Sequence, residues 1–543
     1  MAIDLPPVMP PQLASQQEIN QSGQMGGAVQ RRTIDGVEVQ VVGNTLLSAA
    51  QVQAVLDEAK VPSEAITELS HRYYSAGHLL VSLRYFRSGN TVTVLVSQSQ
   101  IKGLRGDPGI TGHFDSLVGD PDLTLAEFDR ARVLADLKST RSGVDYVISY
   151  EQHFDDQVIL NFQPRPQADY RPGQFTAEAS NRGSRFLGRY FGSVGWRQQF
   201  TNGTEANLVA EAAFPDLGEA GDGEEYHQFV LGVDHPFIFG LFGVEASYLT
   251  YERQPRVSVD DAPLGGLCLP PLISCEPGTV TAQLDAEISQ LALRGEQVLY
   301  SNPVERLNVF QRLEHIDSEL DLGSGGVLLD ESYQVMTLGL RYSSRADPLD
   351  RPESFSAELG VSAGIGDDDG TFSTDTGSGV SIGKRSGEFV LLRPALAYRR
   401  EFASQWQLRG NLSAQFSDDT QLPQQQQWVL GGMDALAAYL PGVLVGDNGV
   451  FARLSLSREQ QWLGFDWHPG WFVELGTSEF ADASGGFAEQ QSLADMGVSL
   501  KLSLPKGFET EVIAATSLHE DVVDDRRREQ LEADFFWRLR WTY

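Results

Sequence analysis

From about residue 173 to the end of the chain, apolar and polar positions alternate with a period of two. In WQLRGNLSAQF, Trp406, Leu408, Leu412, Ala414 and Phe416 oppose Gln407, Arg409, Asn411, Ser413 and Gln415. In MGVSLKLSL, Met496, Val498, Leu500, Leu502 and Leu504 oppose Gly497, Ser499, Lys501 and Ser503. A period of two places each set on one face of a strand. Sixteen such runs are found: 173–183, 187–200, 204–214, 226–236, 241–253, 286–300, 304–319, 331–345, 352–364, 386–400, 405–417, 449–458, 468–476, 490–503, 508–518 and 532–543. Their connections alternate between short (FTNGTE, SNPVER, LPKG) and long (the 214–226 loop, GDDDGTFSTDTGSG, the 418–448 segment). Trp, Tyr and Phe gather at the strand ends, as in FFWRLRWTY. A soluble sandwich also alternates, but interface aromatics and one-sided long loops are marks of a membrane barrel. The reading is a mainly β chain whose larger part closes as a 16-stranded antiparallel transmembrane barrel with a polar lumen.

The first third carries a different pattern. After a Pro- and Gln-rich stretch, 1–32, with a possible short helix at Gln12–Asn20, residues 33–105 predict one β-α-α-β-β module. Its parts are the strand TIDGVEVQVVGN, the helix LSAAQVQAVLDEAK with Ser48 as N-cap, the helix AITELSHRYYSAGH ending at Gly77, and the strands LLVSLRYF and TVTVLVSQSQ. A weaker copy fills 106–170: the helix TLAEFDRARVLADLK, then VDYVISYEQ and QVILNFQPRP. Pro164, Pro166 and Pro172 mark its exit, and 171–543 is left to the barrel.

Charge and composition then narrow the function. A formal net charge of −33 argues against nucleic acid as a partner. There is no uninterrupted apolar run long enough for a membrane-spanning helix, but a barrel hides its apolar residues at alternate positions. Cys268 and Cys275 stand among Pro and Gly, without a histidine or further cysteine pair for zinc. They predict a local disulfide and an oxidising compartment, against the alternative of two inert thiols. The start, MAIDLPPVMPPQ, lacks a basic and an apolar leader region, so an exported chain would here be a mature form carrying an initiator Met. No HExxH and no phosphate-cradling loop is present, and no catalytic residue, metal or cofactor is expected. Asp367, Asp368 and Asp369 fail the calcium-loop spacing and are taken as solvated.

Tandem β-α-α-β-β modules ahead of such a barrel resemble the POTRA–barrel superfamily, and most closely the two-partner secretion transporters that export haemolysins and filamentous haemagglutinins. VEVQVVGNTLLS, HRYYSAGHLLVSL and SNRGSRFLGRYFGSVGW carry the likeness over the chain after residue 32. In this family the loop after the eleventh strand folds into the lumen and bears a Val-Arg-Gly-Tyr/Phe tetrad after Gly-Gly. Here Gly431 and Gly432 precede Leu436, Ala437, Ala438 and Tyr439. The family's second signature, Phe-x-Asp-x-Gly, appears as Phe472, Glu474 and Gly476. The resemblance implies an Arg–Asp pair holding loop tip to wall, which Ala437 cannot make. Arg453, inward on the adjacent strand, is the expected replacement partner for Glu474, with Leu436, Tyr439 and Leu440 packing the tip.

The resemblance implies a bacterial outer-membrane location with the POTRA modules in the periplasm. It also implies a monomeric pore in lipid that exports a large unfolded exoprotein without ATP. The expected docking surface is the first module, around Leu80, Val81, Leu83 and Tyr85, by strand addition. The rival reading keeps the architecture but assembles or anchors a partner without threading it. A passive porin fits the POTRA pair less well.

Overall fold

The computed structural model describes residues 3–15, 29–153, 156–183, 187–214, 225–253, 256–259, 278–281, 283–322, 326–346, 351–366, 385–462, 464–481, 490–523 and 525–543. Cys268, Cys275 and the run Asp367–Asp369 lie outside the described residues.

The first module is a sheet of five strands in the order β1-β4-β5-β3-β2, backed by two helices: β1 Gln12–Leu13, β2 Gln30–Ile34, β3 Val37–Val42, α1 Ala49–Glu58, α2 Pro62–Ser75, β4 Val81–Ser88 and β5 Thr91–Gln98. The single strand expected from TIDGVEVQVVGN is a hairpin. Asp35 and Gly36 both take positive φ, 48° and 74°, the turn that matches strand twist. Ser48 accepts from the Gln51 amide while the Gln51 side chain accepts from Ser48, so α1 begins on a capping box. Val39, Val41, Leu56, Leu69, Tyr73, Leu83 and Val94 close the core between sheet and helices.

The second module comprises β6 Gln100–Arg105, α3 Leu125–Ser142, β7 Val144–His153 and β8 Gln157–Pro166, in the sheet order β6-β8-β7. Gln100–Arg105 was expected to end the first module. It pairs parallel with β8 instead, so the modules meet at Ser99. A continuous alternating run conceals such a change of sheet.

The possible helix at Gln12–Asn20 is corrected in part: Gln12–Leu13 is a strand, parallel to β4, and residues 16–20 lie outside the described residues. Four prolines between Pro6 and Pro11 keep residues 3–15 extended. This segment bridges both modules, with Ile3 against Tyr146 of β7 and Leu13 against Tyr85 of β4.

The remaining chain is a closed antiparallel barrel of sixteen strands. It runs from Gly173–Ser180 to Phe535–Thr542, and these two pair from Thr176↔Thr542 to Ser180↔Arg538. Closure leaves no open strand edge to lipid. All sixteen alternating runs are strands. Some run further than the pattern suggests: 304–319 is Glu305–Leu322 and 331–345 is Gly326–Ala346. Acidic residues such as Glu319, Asp321 and Asp330 look like loop, yet a strand that has left the lipid tolerates them.

Leu291, Leu293, Leu454, Trp471, Val473, Leu475, Met496 and Val498 are exposed on the outer wall, while Glu474 and Asp495 are buried on the inner side. Aromatic rings cluster at the short-turn end, where Phe237 stacks on Phe239 and Phe508 on Trp541. Among the described residues no helix is long and apolar enough to cross a membrane.

Helix α3 seats on this end of the barrel. The Arg141 guanidinium pairs with Asp234, which also receives Arg294 at 2.9 Å. Ser301 donates to Asp129 Oδ2 at 2.6 Å, and Arg132 donates to the other Asp129 oxygen. Gly203, φ +85°, tucks so closely under α3 that a Cβ there would lie 2.6 Å from the Lys138 side chain.

Candidate functional site

The site is built where the 418–448 loop meets the barrel wall. Three inward residues stand side by side on adjacent strands: Arg453 on Asn448–Arg458, Glu474 on Phe465–Glu479 and Asp495 on Gln491–Leu504. The register pairs Arg453 with Glu474 and Glu474 with Asp495. Their inward parity follows from strand alternation, with Trp471, Val473 and Leu475 turned outward on the central strand.

The loop reaches them through a narrow hairpin, Trp428–Leu430 paired with Leu444–Gly446. Gly431 and Gly432 follow with φ of +118° and +103°. A Cβ on Gly431 would lie 2.2 Å from the Leu440 carbonyl oxygen, so the returning chain can pass only a glycine. Gly432 N–H donates to the Tyr439 carbonyl and Tyr439 N–H to that of Leu436, which closes a compact tip. Leu436 itself takes φ +54°. Gly476 is equally constrained, because a Cβ there would lie 2.7 Å from both Leu430 and Leu436.

Wall and tip then meet through backbone amides. Ala437 N–H donates to Glu474 Oε2 at 2.8 Å, and Ala438 N–H to Asp495 Oδ2 at 2.8 Å. Arg453 Nη1 lies 3.1 Å from Glu474 Oε1, and its guanidinium rests 4.4 Å from the Phe472 ring centroid. The Arg453 contact is an ion pair without hydrogen-bond alignment, since Glu474 Oε1 has no hydrogen-bond partner of its own. Glu474 and Asp495 are both fully buried. Each acid gives one oxygen to a tip amide and keeps the other, Glu474 Oε1 and Asp495 Oδ1, without a hydrogen bond.

The other side of the tip is held by the last long loop. Tyr439 donates its hydroxyl to Glu520 at 3.1 Å, Leu440 N–H donates to the Leu531 carbonyl, and Ala533 N–H donates to that of Ala438. Leu436, Ala437, Ala438, Tyr439 and Leu440 pack into one apolar cluster with Phe451, Phe472, Leu493, Ile513 and Phe536. At the loop's root, buried Asp447 accepts from Leu422 N–H and Ala481 N–H, and Glu331 accepts from Gln424 N–H. This arrangement fixes a segment against the inner wall by hydrogen bonds separate from those that build the wall. No cluster of His, Cys, Asp and Glu fit for a metal occurs among the described residues.

All the residues singled out around Gly431–Tyr439 and Phe472–Gly476, with Arg453, therefore come together. Leu80, Val81 and Leu83 do not present a surface. They are buried in the module cores, and only Tyr85 is half-exposed. The sequence reading passed over Asp495, Glu520 and the backbone amides of the tip. Asp495 could have been found by parity, as an acid on the inward set of its strand.

Residues 278–502 match the model of the haemolysin secretion/activation protein family ShlB/FhaC/HecB. The resemblance to two-partner secretion transporters is borne out. CdiB from Escherichia coli is similar in fold, with a TM-score of 0.66, 14% identity, and coverage of 96% of this chain and 92% of that one. CdiB from Acinetobacter baumannii gives 0.61 at 13% identity, over 97% and 96%. No curated protein matches the sequence.

Proposed function

We propose that this chain is a pore through which a large unfolded partner protein leaves the periplasm for the cell surface. The POTRA modules face the periplasm and take up the exoprotein by strand addition. The lumen loop then withdraws from Glu474 and Asp495 and the polypeptide passes. No nucleotide-binding loop occurs in the sequence, so the drive is folding or capture outside. The pore works as a monomer in lipid. The observation that carries this reading is the lumen segment docked by two amide–carboxylate bonds that can break without unpairing a wall strand.

Ala437 supports a second reading, in which the same architecture assembles or anchors a surface partner, because the loop is fastened differently from the family's pattern. Deletion of the gene with proteomics of culture supernatant, cell surface and periplasm separates the two. Retention of one large protein in the periplasm supports export. Depletion of several outer-membrane barrels supports assembly.

A further inference from the structure

Resting on that reading, we infer that residues 3–15 are an exchangeable stand-in for the cargo. They occupy a composite docking site along β7 and β4 until an extended apolar segment of the exoprotein replaces them. The edge strand of each module's sheet carries this one segment. Asp4 N–H donates to the Tyr146 carbonyl of β7 at 3.1 Å, and Ala14 N–H to the Tyr85 carbonyl of β4 at 2.8 Å. Between these contacts, Ser70 donates to the Met9 carbonyl at 2.9 Å. Ile3 and Met9 are buried in the second module's core cluster, and Ala14 is buried beside β4. The site thus takes an extended chain with two apolar anchors, six positions apart, and a strand-forming end.

The occupant is anchored by buried side chains at Ile3 and Met9, but its backbone pairs with the edge strands at few points. Pro6, Pro7, Pro10 and Pro11 have no amide to donate. Among the described residues its strand pairs only with Arg84 and Tyr85, two of the eight residues of β4. An incoming strand without proline can extend that ladder along Val81–Ser88, whereas the resident segment cannot. At the strand end Leu13 is 77% exposed, and only the small Ala14 is buried. Besides its two buried anchors, tethering keeps the resident at about millimolar effective concentration.

Occupancy is also felt at the barrel. The Ile3 carbonyl accepts from Arg132 Nη1 at 3.3 Å, and Arg132 holds Asp129, which receives Ser301 from a barrel turn. Departure of residues 3–15 removes one acceptor from a buried guanidinium that sits two contacts from the pore.

The test uses the full chain in detergent with Cys268 and Cys275 replaced by Ser. Leu13→Cys with Tyr85→Cys joins register partners on oxidation, and a second variant lacks residues 1–15. The probe is a fluorescent peptide of residues 3–15 with its four prolines changed to Thr. The expected result is that the peptide binds the truncated protein about tenfold or more tighter than the full chain. The oxidised lock should abolish binding, and reduction should restore it. Equal binding to locked, reduced and truncated forms overturns the inference. Export of the periplasm-retained protein is followed in the same variants. Peptide exchange without any export defect in the locked strain would leave the docking site standing and remove its role in export. Export that is unaffected by the lock, together with absent peptide binding, removes the inference alone.

Discussion

Ala437 offers its backbone N–H to Glu474 Oε2 at 2.8 Å, so this residue fastens the loop without using its side chain. The carboxylate thereby serves two partners, the amide on one oxygen and Arg453 on the other. Restoring the family's arginine should therefore harm the protein. Ala437 is fully buried, and overpacking such a site costs about 1–3 kcal/mol. A437R should undock the tip and raise single-channel conductance in planar bilayers. A437R with R453S should recover much of the closed behaviour, because one guanidinium then replaces the other. Equal conductance of single and double variants would count against this account.

Asp495→Ala removes the acceptor of the Ala438 amide. A buried donor left unpaired costs about 1–3 kcal/mol. Amide hydrogen exchange at residues 437–439 should accelerate while the strands Gln491–Leu504 and Phe508–Asp521 stay protected. E474A and D495A together should cost less than the sum of the two, since each alone already loosens the shared tip.

Gly431→Ala meets two obstacles, a φ of +118° and a Cβ 2.2 Å from the Leu440 carbonyl oxygen. Left-handed backbone strain alone is on the order of 1–3 kcal/mol. The expected outcome is a folded barrel, resistant to heat in detergent, whose loop no longer seals. Gly442→Ala, with open space at its Cβ, should be milder.

His113 lies buried in the second module, and its pKa is pushed down to about 4, first by burial and then by the charges of Lys138 and His235. The unfolded chain, with a histidine value near 6.5, takes up this proton first as pH falls. Stability is therefore complete above about 6.5, declines between about 6.5 and 4, and levels off below. The span corresponds to about 3 kcal/mol at most. Thermal melts should show this slope, and His113→Gln should flatten it.

Asp234→Ala takes from the buried Arg141 of α3 its hydrogen-bonded carboxylate, leaving it Glu205 at 3.6 Å, and takes one partner from Arg294. Breaking one side of a buried pair costs about 3–5 kcal/mol. Hydrogen exchange in α3 should rise selectively, with the first module unchanged. Arg294→Ala, at a more exposed site, should do much less.

The barrel was legible because lipid on one side and water on the other favour alternation along a strand, as WQLRGNLSAQF and MGVSLKLSL show. The loop site was half legible. Gly431, Gly432 and Gly476 announce close backbone approach, and Arg453 follows from parity. The amides of Ala437 and Ala438 could not be read, because every residue has an amide and only the fold decides which one meets a carboxylate. The burial at the module edge was not legible for a related reason. LLVSLRYF identifies a strand, but nothing in it tells that Leu80, Val81 and Leu83 face the core or that residues 12–14 already lie alongside.

The paired acids behind the tip have a consequence for ion flow. While the tip is docked, two peptide dipoles and the neighbouring arginine offset Glu474 and Asp495. Once it leaves, that section of the conduit gains bare negative charge facing water, with Arg453 balancing only one of the two acids. An unblocked pore should then pass potassium in preference to chloride, and reversal potentials in a salt gradient would shift with each gating event.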